Sequence, residues 1–305
     1  MSSCWMNGKM VEQDSATVSI RDAGLLHGAG VFTTMRAYSG KVFRLTEHLQ
    51  RLRRSCESLF VPLNYTDEQL AAAADDLLQA DSLGDARLRL TTTRGPATSD
   101  PLHGMRLDPN TFITATPLEP YPQEYYQTGM TALAYDLQKL NPYDLQAGHK
   151  TLDYFSRLES LRYAKSHHAG EAMWFNVHNY LQSGSISNVF IVKGGELHTP
   201  PAQAEMQPDA ASTRSPYPIS NVLPGITRQA VIELAQQIAV PVNFRALSIE
   251  DLLGADECFV TNSIMEVLPV VRIEAKPVGS GKPGDLTHKL AMLYQKAIEQ
   301  FVESV

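Results

Sequence analysis

Residues 147–157 read AGHKTLDYFSR. The lysine, Lys150, follows a flexible Ala-Gly-His and stands where the spacing predicts the head of an amphipathic helix. A lysine in that place opposes the helix dipole, so as a merely solvated charge it is mildly disfavoured. A desolvated lysine has a lowered pKa and becomes a nucleophilic amine suited to Schiff-base chemistry. One lysine in isolation is more often a surface residue, so the rest of the chain has to decide between the two.

The 305 residues are 43% hydrophobic and 19% charged, globular values that suit one large domain or two of ordinary size. A net charge of −7 argues against a nucleic-acid binder, which would normally present a basic face. Cys4, Cys56 and Cys258 share no CxxC spacing, so neither a zinc site nor a disulfide framework is supported. The N-terminus, MSSCWMNGKMVEQDS, is polar, and no apolar run approaches membrane length. A soluble, cytoplasmic protein is expected, with no metal.

Outward from Lys150, the pattern mixes strands and helices in two halves without an internal repeat, an α+β chain. TVSI (17–20) reads as a short strand and RDAGLLHGAG as a glycine-punctuated loop. VFTTMRAYSGKVFRL is a hairpin around Ser39-Gly40. Leu49, Leu52, Cys56 and Leu59 fall at helical spacing with Thr46 as N-cap, and Thr66 caps a second helix with acids in its first turn. ARLRLTTTRG and TFITATPL are strands. EPYPQEYYQTG reads as a linker, giving an N-terminal domain over 1–120, a linker over 121–130 and a C-terminal domain over 131–305 that carries Lys150. Beyond it come the strand AMWFNV, a hairpin turned at Gly194-Gly195, a long aperiodic loop over 200–220, and a helix opening after Pro224-Gly225. ECFVTNSIMEVLPVVRI is strand, turn and strand, and residues 285–303 form a terminal helix.

Two nucleotide motifs fail. AGHKT has His149 before its lysine and Asp144 in the first glycine's place of a phosphate loop, and GAGVFT lacks the third glycine of a dinucleotide fingerprint. His167-His168, before Gly170, suits a helix C-terminus better than a metal. LPGITRQAVIELA is stronger: a glycine at a helix start leaves the N–H groups of Gly225, Ile226 and Thr227 free to hold a phosphate, although an ordinary Pro-Gly turn reads the same way. Arg51, on the helix of EHLQRLRRS, is by itself an ordinary surface arginine.

In combination the odds change. RDAGLLHGAGVFTTMRAYSGKVFRLTEHLQRL, GHKTLDYFSRLESL, SGSISNVFIVKGGELHTP, LPGITRQAVIELA and TNSIMEVLPV occur in this order. Together they resemble the fold type IV pyridoxal-phosphate enzymes, which include branched-chain aminotransferases, D-amino-acid aminotransferases and aminodeoxychorismate lyases. The resemblance runs over residues 16 to 272. It implies a two-domain α+β fold with pyridoxal 5'-phosphate between the domains, a small-molecule amino substrate and a homodimer. It implies Lys150 as the Schiff-base lysine and proton shuttle, Arg51 and Ser263 on the cofactor phosphate, and Gly225, Ile226 and Thr227 as the phosphate-binding helix start.

Two departures matter. The family's Gly-Asp-Gly is here Gly28-Ala29-Gly30, and the glutamate that usually pairs with the cofactor's pyridine nitrogen is replaced by Ser183, with Gln182 beside it. Gln182 could substitute only through a bulge that turns it inward. A carboxylate keeps the ring nitrogen protonated and the ring a strong electron sink, whereas a hydroxyl weakens that sink and suits elimination. Thr33-Thr34 and the Asn262-Ser263 run also resemble the lyase pattern, the aminotransferases commonly having a glutamate at Thr33. Arg87 and Arg89, on one strand face with Thr91 and Thr93, could receive a substrate with two carboxylates. Thr34, Tyr154 and Asn262 complete the expected substrate contacts. The expectation is therefore a lyase releasing pyruvate and p-aminobenzoate for folate synthesis. The alternatives are an aminotransferase acting on D- or branched-chain amino acids and a cofactor-binding protein without turnover.

Overall fold

The structure, a computed structural model, describes residues 2–96, 108–206 and 220–304. The chain opens with an Asn7-Gly8 turn in which both residues have positive φ, the geometry that joins two strands in a tight hairpin. The strands are β1 (Ser3–Met6) and β2 (Lys9–Glu12). Helix α1 (Ala23–His27) follows, then β3 (Gly30–Tyr38) and β4 (Lys41–Val42) around Ser39-Gly40, also both at positive φ. Helices α2 (Leu45–Ser58) and α3 (Asp67–Ala80) precede β5 (Ala86–Thr93) and β6 (Thr111–Pro117). A capping box between Thr66 and Gln69 starts α3.

These strands form one sheet in the order β2-β1-β6-β5-β3-β4. Alternation sorts its side chains. Val31, Met35, Ala37, Leu88 and Leu90 pack with Leu49, Leu52 and Cys56 of α2 and with Leu70, Ala74 and Leu77 of α3. Phe32, Thr34, Arg36, Arg87 and Arg89 take the alternate positions, on the other face. At roughly 1.5–3 kcal/mol per buried aliphatic side chain, the helix-covered face holds this sheet together, and the other face is left for chemistry.

A second unit contains α4 (Gln123–Thr128), β7 (Met130–Leu140), α5 (Phe155–Ser166), β8 (Glu171–Asn176), β9 (Leu181–Gly184), β10 (Asn188–Lys193) and β11 (Glu196–Thr199). After them come α6 (Ile226–Gln237), β12 (Val242–Phe244), α7 (Ile249–Leu253), β13 (Glu257–Asn262), β14 (Glu266–Ile273), β15 (Lys276–Pro277) and α8 (Asp285–Glu303), whose residues from Gln300 onward group with the first unit. Its sheet runs β12-β11-β10-β13-β14-β7-β8-β9, with β15 on β14. One face is an apolar core of Met173, Phe175, Val189, Ile191, Val260 and Leu268. On the other, Trp174, Ala172 and Tyr135 pack with Ala164 of α5. Among the described residues no helix is long and apolar enough to cross a membrane.

Several sequence expectations need correction. TVSI joins neither sheet; Ile20 is 80% exposed, and alternation without a neighbouring strand makes no ladder. Part of the expected loop after it is α1, capped by Asp22 accepting from Gly24 N. The cap of α2 is Arg44 in the left-handed region, which places Thr46 inside the helix. The expected linker holds α4, whose Tyr125 and Tyr126 pack on the second core. Lys150 is not at a helix head, since α5 starts at Phe155, and residues His149–Tyr154 group with the first unit rather than with residues 131–305. Of the loop expected over 200–220, residues 207–219 lie outside the described residues, and Gln203–Glu205 form a 3-10 turn.

Candidate active site

Lys150 owes its position to β3. Phe32 N donates to Lys150 O at 2.9 Å, Leu152 N donates to Gly30 O at 2.9 Å, and Thr151 bridges to Val31. The segment thus meets β3 through an isolated bridge, and the lysine's backbone is tied to that strand on either side of Thr151. Its Nζ donates to Tyr154 Oη at 3.2 Å and lies 4.7 Å from the Phe32 ring centroid. The Arg89 guanidinium sits over the same ring at 3.6 Å, and Tyr154 meets Phe32 edge-on at 5.4 Å. Two cations drawn to one aromatic face make a strongly positive, half-desolvated pocket. Burial lowers the Arg89 pKa, and Arg87 adds to the effect. Thr34 is the cross-strand partner of Arg89. Arg87 is exposed on the same face, so of the two arginines only Arg89 joins the lysine's cluster.

On the helix side of that sheet, α2 aims His48, Arg51 and Ser55 from one face, spaced three and four apart. Arg51 Nη2 donates to Thr33 Oγ1 at 2.9 Å, and Thr33 Oγ1 lies 2.8 Å from His48 Nδ1. Because the guanidinium can only donate, the Thr33 hydroxyl keeps its own proton and can give it to Nδ1 of a neutral His48. Burial, reinforced by Arg51, Lys150 and Arg44, holds the His48 pKa well below the usual histidine range. Burial, with Arg54, also lowers the Arg51 pKa to about 10. His149 Nδ1 lies 2.9 Å from Ser55 Oγ, so the residue before Lys150 is anchored to the same helix. Sequence reasoning passed over His48, although its place one turn before Arg51 was readable.

The second unit carries a candidate anion cradle. Gly225 is the N-cap of α6 and no side chain caps the helix, which leaves the leading N–H groups of Gly225, Ile226 and Thr227 outward at the positive end of the dipole. A Cβ on Gly225 would come within 2.0 Å of Asn188 Oδ1, and Asn188 Nδ2 is fixed by donating to Leu223 O at 2.9 Å. Thr261, directly across the strand pair from Asn188, is 1% exposed, and its Oγ1 has no hydrogen-bond partner among the described residues. Ser263 stands in the turn between β13 and β14. Asn262, expected on substrate, uses its Oδ1 to accept from Ile264 N and Met265 N, each at 2.8 Å, and its Nδ2 to donate to Ile186 O at 3.2 Å. Capless N–H groups, an orphaned hydroxyl and a position where only glycine fits are together the donor set a phosphate monoester requires.

Ser183 lies opposite Trp174 on β8, and the register shift between Trp174 and Phe175 leaves Gln182 as the extra residue of a bulge. The bulge does not release Gln182. Its Nε2 donates to the carbonyls of Tyr180 and Leu181, and its Oε1 accepts from Asn221 N. Ser183 Oγ instead accepts from Arg157 Nη1 at 3.0 Å. Sequence reasoning also missed Glu171. It is fully buried, and its carboxylate accepts from Ala172 N, Ser185 N and Ser187 Oγ, shaping the Gly184–Ser187 turn. Desolvation raises its pKa against those hydrogen bonds. A Cβ on Gly184 would sit 2.2 Å from Ser187 Oγ and 2.6 Å from Glu171 Oε2, so this turn admits only glycine.

Residues 30–273 match the family Amino-transferase class IV. A relative from Methanocaldococcus jannaschii, named "Putative branched-chain-amino-acid aminotransferase", is 33% identical over 94% of this chain and 93% of its own. The D-alanine aminotransferase of Staphylococcus haemolyticus is 28% identical over 98% and 99%. Among solved structures, the branched-chain amino acid aminotransferase of Escherichia coli superposes with a TM-score of 0.87 at 28% identity, covering 97% of this chain and 94% of that one. The 4-amino-4-deoxychorismate lyase of Pseudomonas aeruginosa gives 0.80 at 26% identity, covering 96% and 98%.

Proposed function

The chain belongs to the class IV aminotransferases, a family of pyridoxal 5'-phosphate enzymes, and we propose that it is an aminotransferase acting on D- or branched-chain amino acids. This replaces the lyase as the leading reading, because the relatives similar over nearly the whole chain carry aminotransferase names. The observation that carries it is the Lys150 cluster: a lysine amine 3.2 Å from a phenol, with Arg89 on the same aromatic ring. The cofactor supplies an electrophilic aldehyde and an electron-withdrawing ring when bound. In the second unit Gly225, Ile226, Thr227 and Ser263 would offer donors to its phosphate; in the first, Arg51 would offer that phosphate a cation and Lys150 Nζ would bond its aldehyde carbon.

The chain's own residues then divide the work. Lys150 Nζ moves a proton on and off the substrate's α-carbon, and Tyr154 Oη, as its hydrogen-bond acceptor, orients the amine. Arg89 offers a cation to a substrate carboxylate, and Thr34 is its neighbour on the same face. Phe32 keeps water from one side of the amine.

The lyase remains the second reading on one observation: a serine, held by an arginine, stands where the family's glutamate is expected. The test is a single-turnover reaction of loaded enzyme with D-alanine and L-leucine, each without a keto acid, followed by the cofactor's conversion to its amine form. A stoichiometric conversion supports the aminotransferase. Silence with every amino acid, together with repeated release of p-aminobenzoate from aminodeoxychorismate, would replace it by the lyase. Lys150→Ala is expected to lose the absorbance band of the lysine-bound cofactor. An unchanged band would sink the cofactor assignment.

A further inference from the structure

We propose that Arg157 and Ser183 act as a donor pair that keeps the ring nitrogen of the bound cofactor unprotonated. The proposal rests on the cofactor assignment above and on the family resemblance that puts Ser183 in the place of the ring nitrogen's partner. Ser183 is 7% exposed, and its Oγ is 3.0 Å from Arg157 Nη1. The same Nη1 donates to Gly184 O at 3.1 Å. A guanidinium has five donors, no acceptor, and stays charged in proteins. A serine hydroxyl has one proton and two lone pairs. Since Arg157 fills a lone pair of Ser183 Oγ, the hydroxyl proton has to be donated elsewhere. A group facing Ser183 is therefore offered a proton by hydrogen bond, and an unprotonated pyridine nitrogen accepts it. A pyridinium would place its N–H against a hydroxyl already polarised by a cation.

Arg157 is built into this position. Its guanidinium lies 4.6 Å over the Trp174 ring, and Trp174 faces Ser183 across the strand pair. Trp174 Nε1 donates to Ser160 Oγ at 2.9 Å, Ser160 Oγ donates to Arg157 O at 2.9 Å, and Ser160 Oγ lies 2.7 Å from Ser185 Oγ. The helix that carries the arginine is therefore pinned to the strand that carries the serine.

Among the described residues, the carboxylates on the neighbouring strand and helix are engaged elsewhere. Glu171 is on β8 three residues before Trp174, at a position that alternates with it, and both its oxygens serve the Gly184–Ser187 turn. Glu159 on α5 pairs with Arg162 at 2.8 Å. Tyr135 packs against Trp174 at 4.8 Å, and Tyr163 meets Tyr135 edge-on at 6.0 Å. Arg157 is thus a positioning residue that acts through Ser183.

The experiment is nitrogen NMR on holoenzyme loaded with cofactor labelled with 15N at the ring nitrogen. The absorbance band of the lysine-bound cofactor, and its loss in Lys150→Ala, is recorded alongside. A neutral-pyridine shift that does not titrate is expected in the parent protein, and a pyridinium shift is expected in Ser183→Glu. In Arg157→Leu the nitrogen is expected to titrate as pH is lowered; Arg157→Lys, which keeps the charge, should stay neutral. A pyridinium signal in the parent protein overturns the proposal, as does an unmoved signal in both Ser183→Glu and Arg157→Leu. Absence of the band itself would instead refute the cofactor reading on which the proposal rests.

Discussion

Replacing Thr33 by valine isolates the hydrogen-bond chain that aims Arg51. The two side chains have nearly the same shape, and valine suits a strand interior, so neither a cavity nor a backbone penalty is expected. What disappears is one oxygen, 2.9 Å from Arg51 Nη2 and 2.8 Å from His48 Nδ1. Losing a hydrogen bond to a charged donor costs about 1.5–3 kcal/mol, and depriving a buried acceptor of its donor about 1–3 kcal/mol. The two losses share one atom and are not additive, so about 3 kcal/mol is the expected destabilisation. Urea unfolding of the cofactor-free protein at constant pH measures it as a lower midpoint with an unchanged slope. The same change releases Arg51 from its fixed direction and should weaken cofactor binding by about tenfold or more, each factor of ten being about 1.4 kcal/mol. A stability loss below about 0.5 kcal/mol, the range of an ordinary surface substitution, would refute the chain of donors described for this cluster.

Other outcomes follow from the same geometry. Gly225→Ala has an allowed backbone (φ −68°), so its effect is steric alone: a Cβ 2.0 Å from Asn188 Oδ1 displaces the start of α6. Overpacking of this kind costs roughly 1–3 kcal/mol, and titration with pyridoxal phosphate should show a larger loss of affinity than titration with pyridoxal lacking the phosphate. Equal losses for both would mean the helix start does not hold the phosphate. His48 has a folded pKa below its unfolded 6.5, so the unfolded chain binds the extra proton. Its contribution is present above pH 6.5 and is lost as pH falls towards the folded value. Glu171, raised above 4.5, has the opposite sign: its contribution is present below 4.5 and is lost as pH rises through the raised folded value. Urea midpoints across this range should flatten on the His48 side in His48→Gln; an unaltered profile would remove the histidine from the account. Gly184→Ala should cost more stability than Gly194→Ala, because only the former meets neighbouring atoms. Thermal unfolding of the two variants decides this.

Local chemistry made much of the fold legible. Ser39-Gly40 and Gly194-Gly195 announced hairpins because only residues tolerant of positive φ close such turns. Thr66 with the acids of the first turn announced α3, and Pro224-Gly225 announced α6. Arg51, Gly225 and Lys150 each had an ordinary reading alone, and the ordered motifs together gave them roles. TVSI misled, since alternation specifies a strand only when a partner edge exists, and partner edges are non-local. The same limit applied to Lys150. Its neighbourhood reads as a helix start from i to i+4 spacing, yet pairing with β3 holds Lys150, Thr151 and Leu152 out of the helix.

The order of the motifs by itself determined the family and, with it, the cofactor, because five spaced segments constrain one chain far more than any composition does. Tertiary structure decided the electrostatics. Thr33 became the hinge between a neutral histidine and a buried arginine, Arg89 rather than Arg87 joined the lysine, and Ser183 acquired Arg157. Those pairings join residues tens of positions apart. Their energies depend on burial and on which side of a strand each residue takes, and neither is encoded in any local stretch of the sequence.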